Sequence, residues 1–142
     1  MGCDIHPVIE VRGTKWPGDK TWEAVAIPDR GRNYAFFGAL AGVRYEPSNG
    51  PVAEPRGYPD PEAEENRFCD WNPKRESLHN FLSREHTPSW LTLEEMENYD
   101  AQWLEKMGSM GQWNRWLRTM RFYANLYEVS DRDVRVVFDF DS

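Results

Sequence analysis

Alternation with a period of two opens the chain. From Asp4 to Arg12, Ile5, Ile9 and Val11 fall on one side and Asp4, His6, Val8 and Glu10 on the other. That is the pattern of a strand with one face turned inward. Pro7 has no N–H to donate and favours an edge position or a bulge near the strand start. A turn signal over Gly13 to Lys20, centred on Pro17-Gly18-Asp19, leads to a return strand at Trp22 to Ile27, completing a hairpin. The pattern then becomes helical. Tyr34 to Ala41 is apolar almost all round, which predicts a buried helix with Asn33 as its N-cap and Gly42 as its stop. Lys74 to Arg84 places Leu78, Phe81 and Leu82 on one side of a helix. Thr92 with Glu95 forms a capping box and predicts a helix to about Lys106. After a break at Gly108-Ser109, the residues Trp113, Trp116, Leu117, Met120, Tyr123, Ala124 and Tyr127 fit one helical stripe. A closing strand carries Val134, Val136, Phe138 and Phe140 on one face.

This order predicts an α+β fold: a small, mainly antiparallel sheet, made of the N-terminal hairpin plus the C-terminal strand, packed with three to four helices. The length of 142 residues suits a single domain over Met1–Ser142. Within it, a Pro- and Gly-rich stretch at about 45–61 reads as a long surface loop or arm.

Composition adds a charge asymmetry. The net charge is −7, and residues 54–106 carry thirteen acids against six bases while the flanking stretches balance. Direct nucleic-acid binding needs a basic footprint and is not expected. An acidic region instead suits a basic partner, or simply a solvated surface. The two cysteines, Cys3 and Cys69, are too few for a disulfide framework. No apolar run approaches a membrane span, and the chain opens straight into a strand with no signal-peptide pattern. A cytoplasmic location follows as the expectation.

Candidate chemistry lies at the two ends. Asp4 and His6 share a face of the first strand, and Asp139 and Asp141 share a face of the last. If those strands are neighbours, the four side chains converge, with His86 as a further candidate, as a metal or acid–base site. The Asp-x-His start is that of calcineurin-like metallophosphoesterases, but their downstream Gly-Asn-His and Gly-His-x-His segments are missing. Cys3 is a candidate nucleophile with His6 or His86 as base, or a small buried side chain. Arg32, Arg44 and Arg56 offer planar forks for phosphate or carboxylate, Asn33 sits at a helix start, and Tyr34 can stack on a ring. His86-Thr87-Pro88-Ser89-Trp90 reads as a connection between helices from which His86 reaches a pocket.

Several segments in order carry a family resemblance. They are Met1-Gly2-Cys3-Asp4-Ile5-His6; Arg32-Asn33-Tyr34 leading to Leu40-Ala41-Gly42-Val43-Arg44; Glu54-Pro55-Arg56-Gly57; His86 with Ser89-Trp90-Leu91; and Val134-Arg135-Val136-Val137-Phe138. In this combination the chain resembles a widespread family of small bacteriophage-encoded proteins with the same opening hexapeptide. The resemblance implies an early or accessory protein made in an infected bacterial host, and implies no particular reaction. Asp139 stands where that family often has Trp, so any role for it is particular to this chain.

The reading these observations favour is a phage accessory protein, with an anti-defence role, that binds a small phosphorylated or nucleotide-like molecule. Its expected ligand-binding residues are Asp4, His6, Arg32, Asn33, Tyr34, Arg44, Arg56 and His86, with no cofactor required. Two alternatives stand beside it. One is a protein-binding inhibitor of a host defence factor acting through the acidic 54–106 region. The other is a small hydrolase using a divalent metal.

Overall fold

The computed structural model describes residues 2–59 and 85–141. The helix expected over Lys74–Arg84, the last residues of the arm and much of the acidic stretch lie outside the described residues. Four antiparallel strands, β1 (Asp4–Arg12), β2 (Trp22–Ala26), β3 (Glu85–Thr92) and β4 (Val134–Asp141), form one sheet in the order β2-β1-β4-β3. The helices are α1 (Tyr34–Ala41), α2 (Leu93–Asn98), α3 (Gln102–Lys106) and α4 (Met110–Tyr127), and a short 3-10 turn at Asp131–Asp133 leads into β4. The α+β class and the hairpin-plus-last-strand sheet expected from the sequence are both present.

The period-two pattern explains the sheet. β1 and β4 pair along their whole length, from Asp4 opposite Asp141 to Val11 opposite Val134. One face therefore gathers Ile5, Ile9, Val11, Val134, Val136, Phe138 and Phe140, all buried. Onto it pack α1 and α4. Phe36 meets the rings of Trp113 and Trp116 edge-on, and Phe37 meets Phe140 at 5.1 Å between centroids. The second face is mixed. Val8, Ala24 and Val137 form a small apolar cluster with Tyr58 and Trp90, and Glu10, Arg135 and Asp139 are buried on the same side. Pro7 is accommodated because β1 pairs with β2 only from Ile9 to Arg12, with a register shift at Ile9/Glu10.

Local signals set the helix ends. Asn33 Oδ1 accepts the Phe36 N–H, and Gly42 takes the left-handed conformation (φ 71°) that closes α1. Thr92 and Glu95 form the expected capping box on α2.

Two expectations are corrected. The stretch around His86–Trp90 is not a connection between helices but the edge strand β3. Thr87 adopts a positive φ of 53° there, and the register against β4 shifts between His86 and Ser89, a bulge that accommodates Pro88. The helix expected from Thr92 to Lys106 is two helices. Tyr99 leaves α2 in an extended conformation, and the Asp100 carboxylate accepts the Gln102 N–H to start the next turn.

The Pro- and Gly-rich stretch, as far as residue 59, is a strap with no helix or strand of its own. It is pinned along its course. Tyr45 stacks on Trp103 at 5.3 Å, Val52 N–H donates to Ala39 O, and Tyr99 Oη donates to Gly50 O. Farther on, Arg56 N–H donates to Ser89 Oγ and Gly57 N–H to Pro88 O, so the strap ends against β3.

Candidate functional site

Pairing of β1 with β4 brings the chain-terminal candidates together. His6 lies opposite Asp139 in the ladder, and its Nε2 is 2.5 Å from Asp141 Oδ2. Asp4, next along that face, accepts two hydrogen bonds on Oδ1 from Arg32, from Nε at 3.0 Å and from Nη2 at 2.9 Å. On the other side of the strand, Cys3 N–H donates to Tyr34 Oη, and the Arg44 guanidinium lies 5.3 Å from the Tyr34 ring centre. His86 stacks on Phe140 at 6.1 Å, and its Nδ1 is 2.8 Å from Thr87 Oγ1. Seven of the eight expected residues thus lie at one end of the sheet but not in one pocket: Asp4 and His6 are on one face, His86 is beside Phe140 on the opposite face, and Asn33 spends its side chain on capping α1.

The chemistry of this end is restrained. Its hollow, about 330 Å³, is lined by Asp4, Ile5, His6 and Arg30. Cys3 is fully buried, and that burial pushes its thiol pKa up, which disfavours the thiolate a nucleophile needs. Asp139 is fully buried and accepts the Tyr58 hydroxyl at 2.5 Å. Among the described residues no three His, Cys, Asp or Glu side chains come together as a metal-ligand set.

Arg56 is elsewhere. It lies at the opposite end of the second face, in a groove of about 490 Å³ lined by four arginines (Arg12, Arg56, Arg132 and Arg135), two tryptophans (Trp22 and Trp90), Thr92, Glu94 and Glu95. The strand ladder builds it row by row. Trp22 stands beside Arg12, Glu10 beside Arg135, and Arg135 beside Thr92. The Arg135 guanidinium sits 3.9 Å from the Trp22 ring centre and 5.8 Å from that of Trp90. Arg12 covers Trp22 at 4.8 Å, and Arg56 covers Trp90 at 4.3 Å. Each arginine also meets a carboxylate: Arg135 with Glu10 at 2.7 Å, Arg12 with Asp133 at 2.8 Å, Arg132 with Glu94 at 3.0 Å, and Arg56 with Glu95. The bond from Arg56 holds the Glu95 carboxyl below its ordinary pKa.

No family model matches the chain, and no curated protein or solved structure is detectably similar to it. The groove must be read from its own chemistry.

Sequence reasoning found Arg56 and missed Arg12, Trp22, Trp90, Arg132 and Arg135. A signal was present for part of it. Arg12 continues the polar side of the first strand beyond Glu10, and Arg135 is a polar break in the run Val134 to Phe138. Their convergence depends on strand order, which the pattern does not encode. No helix among the described residues is long and apolar enough to cross a membrane.

Proposed function

We propose that the protein binds a small anionic ligand with a planar ring, of the nucleotide type, in the groove between Trp22 and Trp90. The observation that carries this is the gathering of four guanidinium groups and two indole rings in one concavity of about 490 Å³. That volume lies within the range of small-molecule sites. Guanidinium forks suit phosphate oxygens, and indole faces suit a heterocycle and the cations already stacked on them. The carboxylates in the groove give the site a defined resting state. Glu94 and Glu95 hold Arg132 and Arg56, and an incoming phosphate replaces them as the acceptor. The resemblance of the chain to a bacteriophage family supports the wider reading of an accessory protein that sequesters a host signal of this chemistry.

The acidic-surface alternative is less favoured. Among the described residues of 54–106, Glu94, Glu95 and Glu97 are each held by an arginine rather than presented together.

Calorimetric titration with adenosine and guanosine monophosphates, and with ribose 5-phosphate as the ring-free control, tests the proposal. A nucleotide should bind saturably and the sugar phosphate at least about tenfold more weakly, since ring stacking is worth about 1–3 kcal/mol. Arg132 is mostly exposed, so Arg132→Ala should leave the fold intact and weaken binding about tenfold, whereas Glu94→Gln should strengthen it. Absence of saturable binding to every nucleotide tried at millimolar concentration would sink the proposal.

A further inference from the structure

Arg56 differs from the rest of the groove in how it is held. Every other described lining residue stands on a strand, a helix or the 3-10 turn, whereas Arg56 comes from the strap, which has no helix or strand of its own. A guanidinium on such a segment keeps one position only if its backbone is tied down. Two ties are made to β3. Arg56 N–H donates to the buried Ser89 Oγ at 3.0 Å, and Gly57 N–H donates to Pro88 O at 2.9 Å. The bulge supplies the second acceptor, since Pro88 drops out of the register with β4. The third tie runs to the centre of the sheet. Tyr58 Oη donates at 2.5 Å to Oδ2 of Asp139 on β4, a fully buried carboxylate. The Tyr58 ring also rests on the cluster of Val8, Ala24 and Val137, where Trp90 rests as well.

We propose that Tyr58 and Asp139 are positioning residues of the groove, whose hydrogen bond seats the strap so that Arg56 holds its guanidinium over Trp90. The proposal rests on the reading of the groove as a ligand site. Apolar contact with the cluster is non-directional and would let the strap slide. A carboxylate inside the sheet is costly unless it is hydrogen-bonded, and an apolar side chain there would carry no such cost. What Asp139 adds is an acceptor with a fixed direction, and the charge-assisted bond from Tyr58 is made in one geometry. With Tyr58 seated, Arg56 lies 4.3 Å from the Trp90 ring centre, donates from Nη1 to Trp90 O at 3.1 Å, and bonds Glu95. Without that seat Arg56 would keep its charge but lose the fixed approach that makes a fork for phosphate. Two side chains outside the groove lining therefore set how one of its four cations meets a ligand.

A double-mutant cycle on the full chain, read by calorimetric titration with adenosine monophosphate, tests the assignment. Tyr58→Phe should weaken binding about fivefold and Arg56→Ala about tenfold, and the two together should do no more than Arg56→Ala alone, because both act through one guanidinium. Combined with Arg132→Ala, which the strap does not hold, the Tyr58→Phe loss should multiply in full. Asp139→Asn keeps an acceptor for the Tyr58 hydroxyl and should bind within about twofold of the wild type. A second readout needs no ligand. Arg56 holds the Glu95 carboxyl below its ordinary pKa, so NMR titration of Tyr58→Phe should show that value rising toward 4.5, while Asp131, held by Arg121, stays where it was. Unchanged affinity in Tyr58→Phe overturns the proposal, as does a loss that multiplies with that of Arg56→Ala. If the wild type binds no nucleotide, the ligand reading falls, and the Glu95 titration alone decides whether Tyr58 holds Arg56: an unmoved value overturns that too.

Discussion

Gly38 shows how far one missing side chain can reach. It lies inside α1, where glycine costs about 1 kcal/mol relative to alanine. A Cβ there would stand 2.6 Å from the Tyr45 carbonyl oxygen and 2.8 Å from the Tyr45 Cβ, so the strap rests directly on the helix only because none exists. Gly38→Ala should therefore destabilise the protein by roughly 1–3 kcal/mol despite the better helix former, read as a lower urea midpoint. If the midpoint rises instead, the strap is not seated on α1. At this same scale the sequence was most legible. Asn33, Gly42 and the Thr92/Glu95 box act on backbone groups within a few positions of themselves, and such local hydrogen bonding needs no knowledge of the fold. Arg56 was legible only as a residue type, because its partners Trp90 and Glu95 come from beyond the strap.

Among the elements, α2 couples a helix start to the groove. Glu95 accepts from the Thr92 backbone N–H as the cap requires and also bonds Arg56. That second bond is the main reason its pKa lies below the ordinary glutamate value of 4.5. Asp131 is likewise held below the ordinary aspartate value by Arg121. A depressed pKa means that the unfolded chain takes up protons first as the solution is acidified. The stabilisation is thus complete above about pH 4.5 and is lost as pH falls through the lower folded-state value. Thermal melts should show a stability plateau near neutrality and a decline below that point, with a shallower decline in Glu95→Gln. An equally steep decline in that variant would place the acid sensitivity elsewhere. β3 was the element the sequence hid. Its run Glu85 to Thr92 has a proline in the middle and no clean alternation, because the Thr87–Pro88 bulge resets which residues face the core.

For the whole molecule, the decisive fact is that the two strands farthest apart in sequence are the central pair. Periodicity says which face of a strand is apolar, but not which strand lies beside it. The convergence of Asp4 and His6 with Asp139 and Asp141 therefore rested on an assumed neighbour, and the groove was not anticipated at all. Its lining comes from β1, β2, the strap, β3, α2, the 3-10 turn and β4, seven separate segments brought into register by one ladder.

That ladder has a consequence in isotopes. β4 is bonded to β1 on one side and β3 on the other along nearly all of its length, whereas β2 has its described partner on one side only. In deuterated water the amide protons of Val136 to Phe140 should be the last to disappear, since releasing them requires both flanking strands to part. Those of β2 should go much earlier. The exchange map of this protein is expected to retreat inward from its edges, with the final protected amides in the strand made from the end of the described chain.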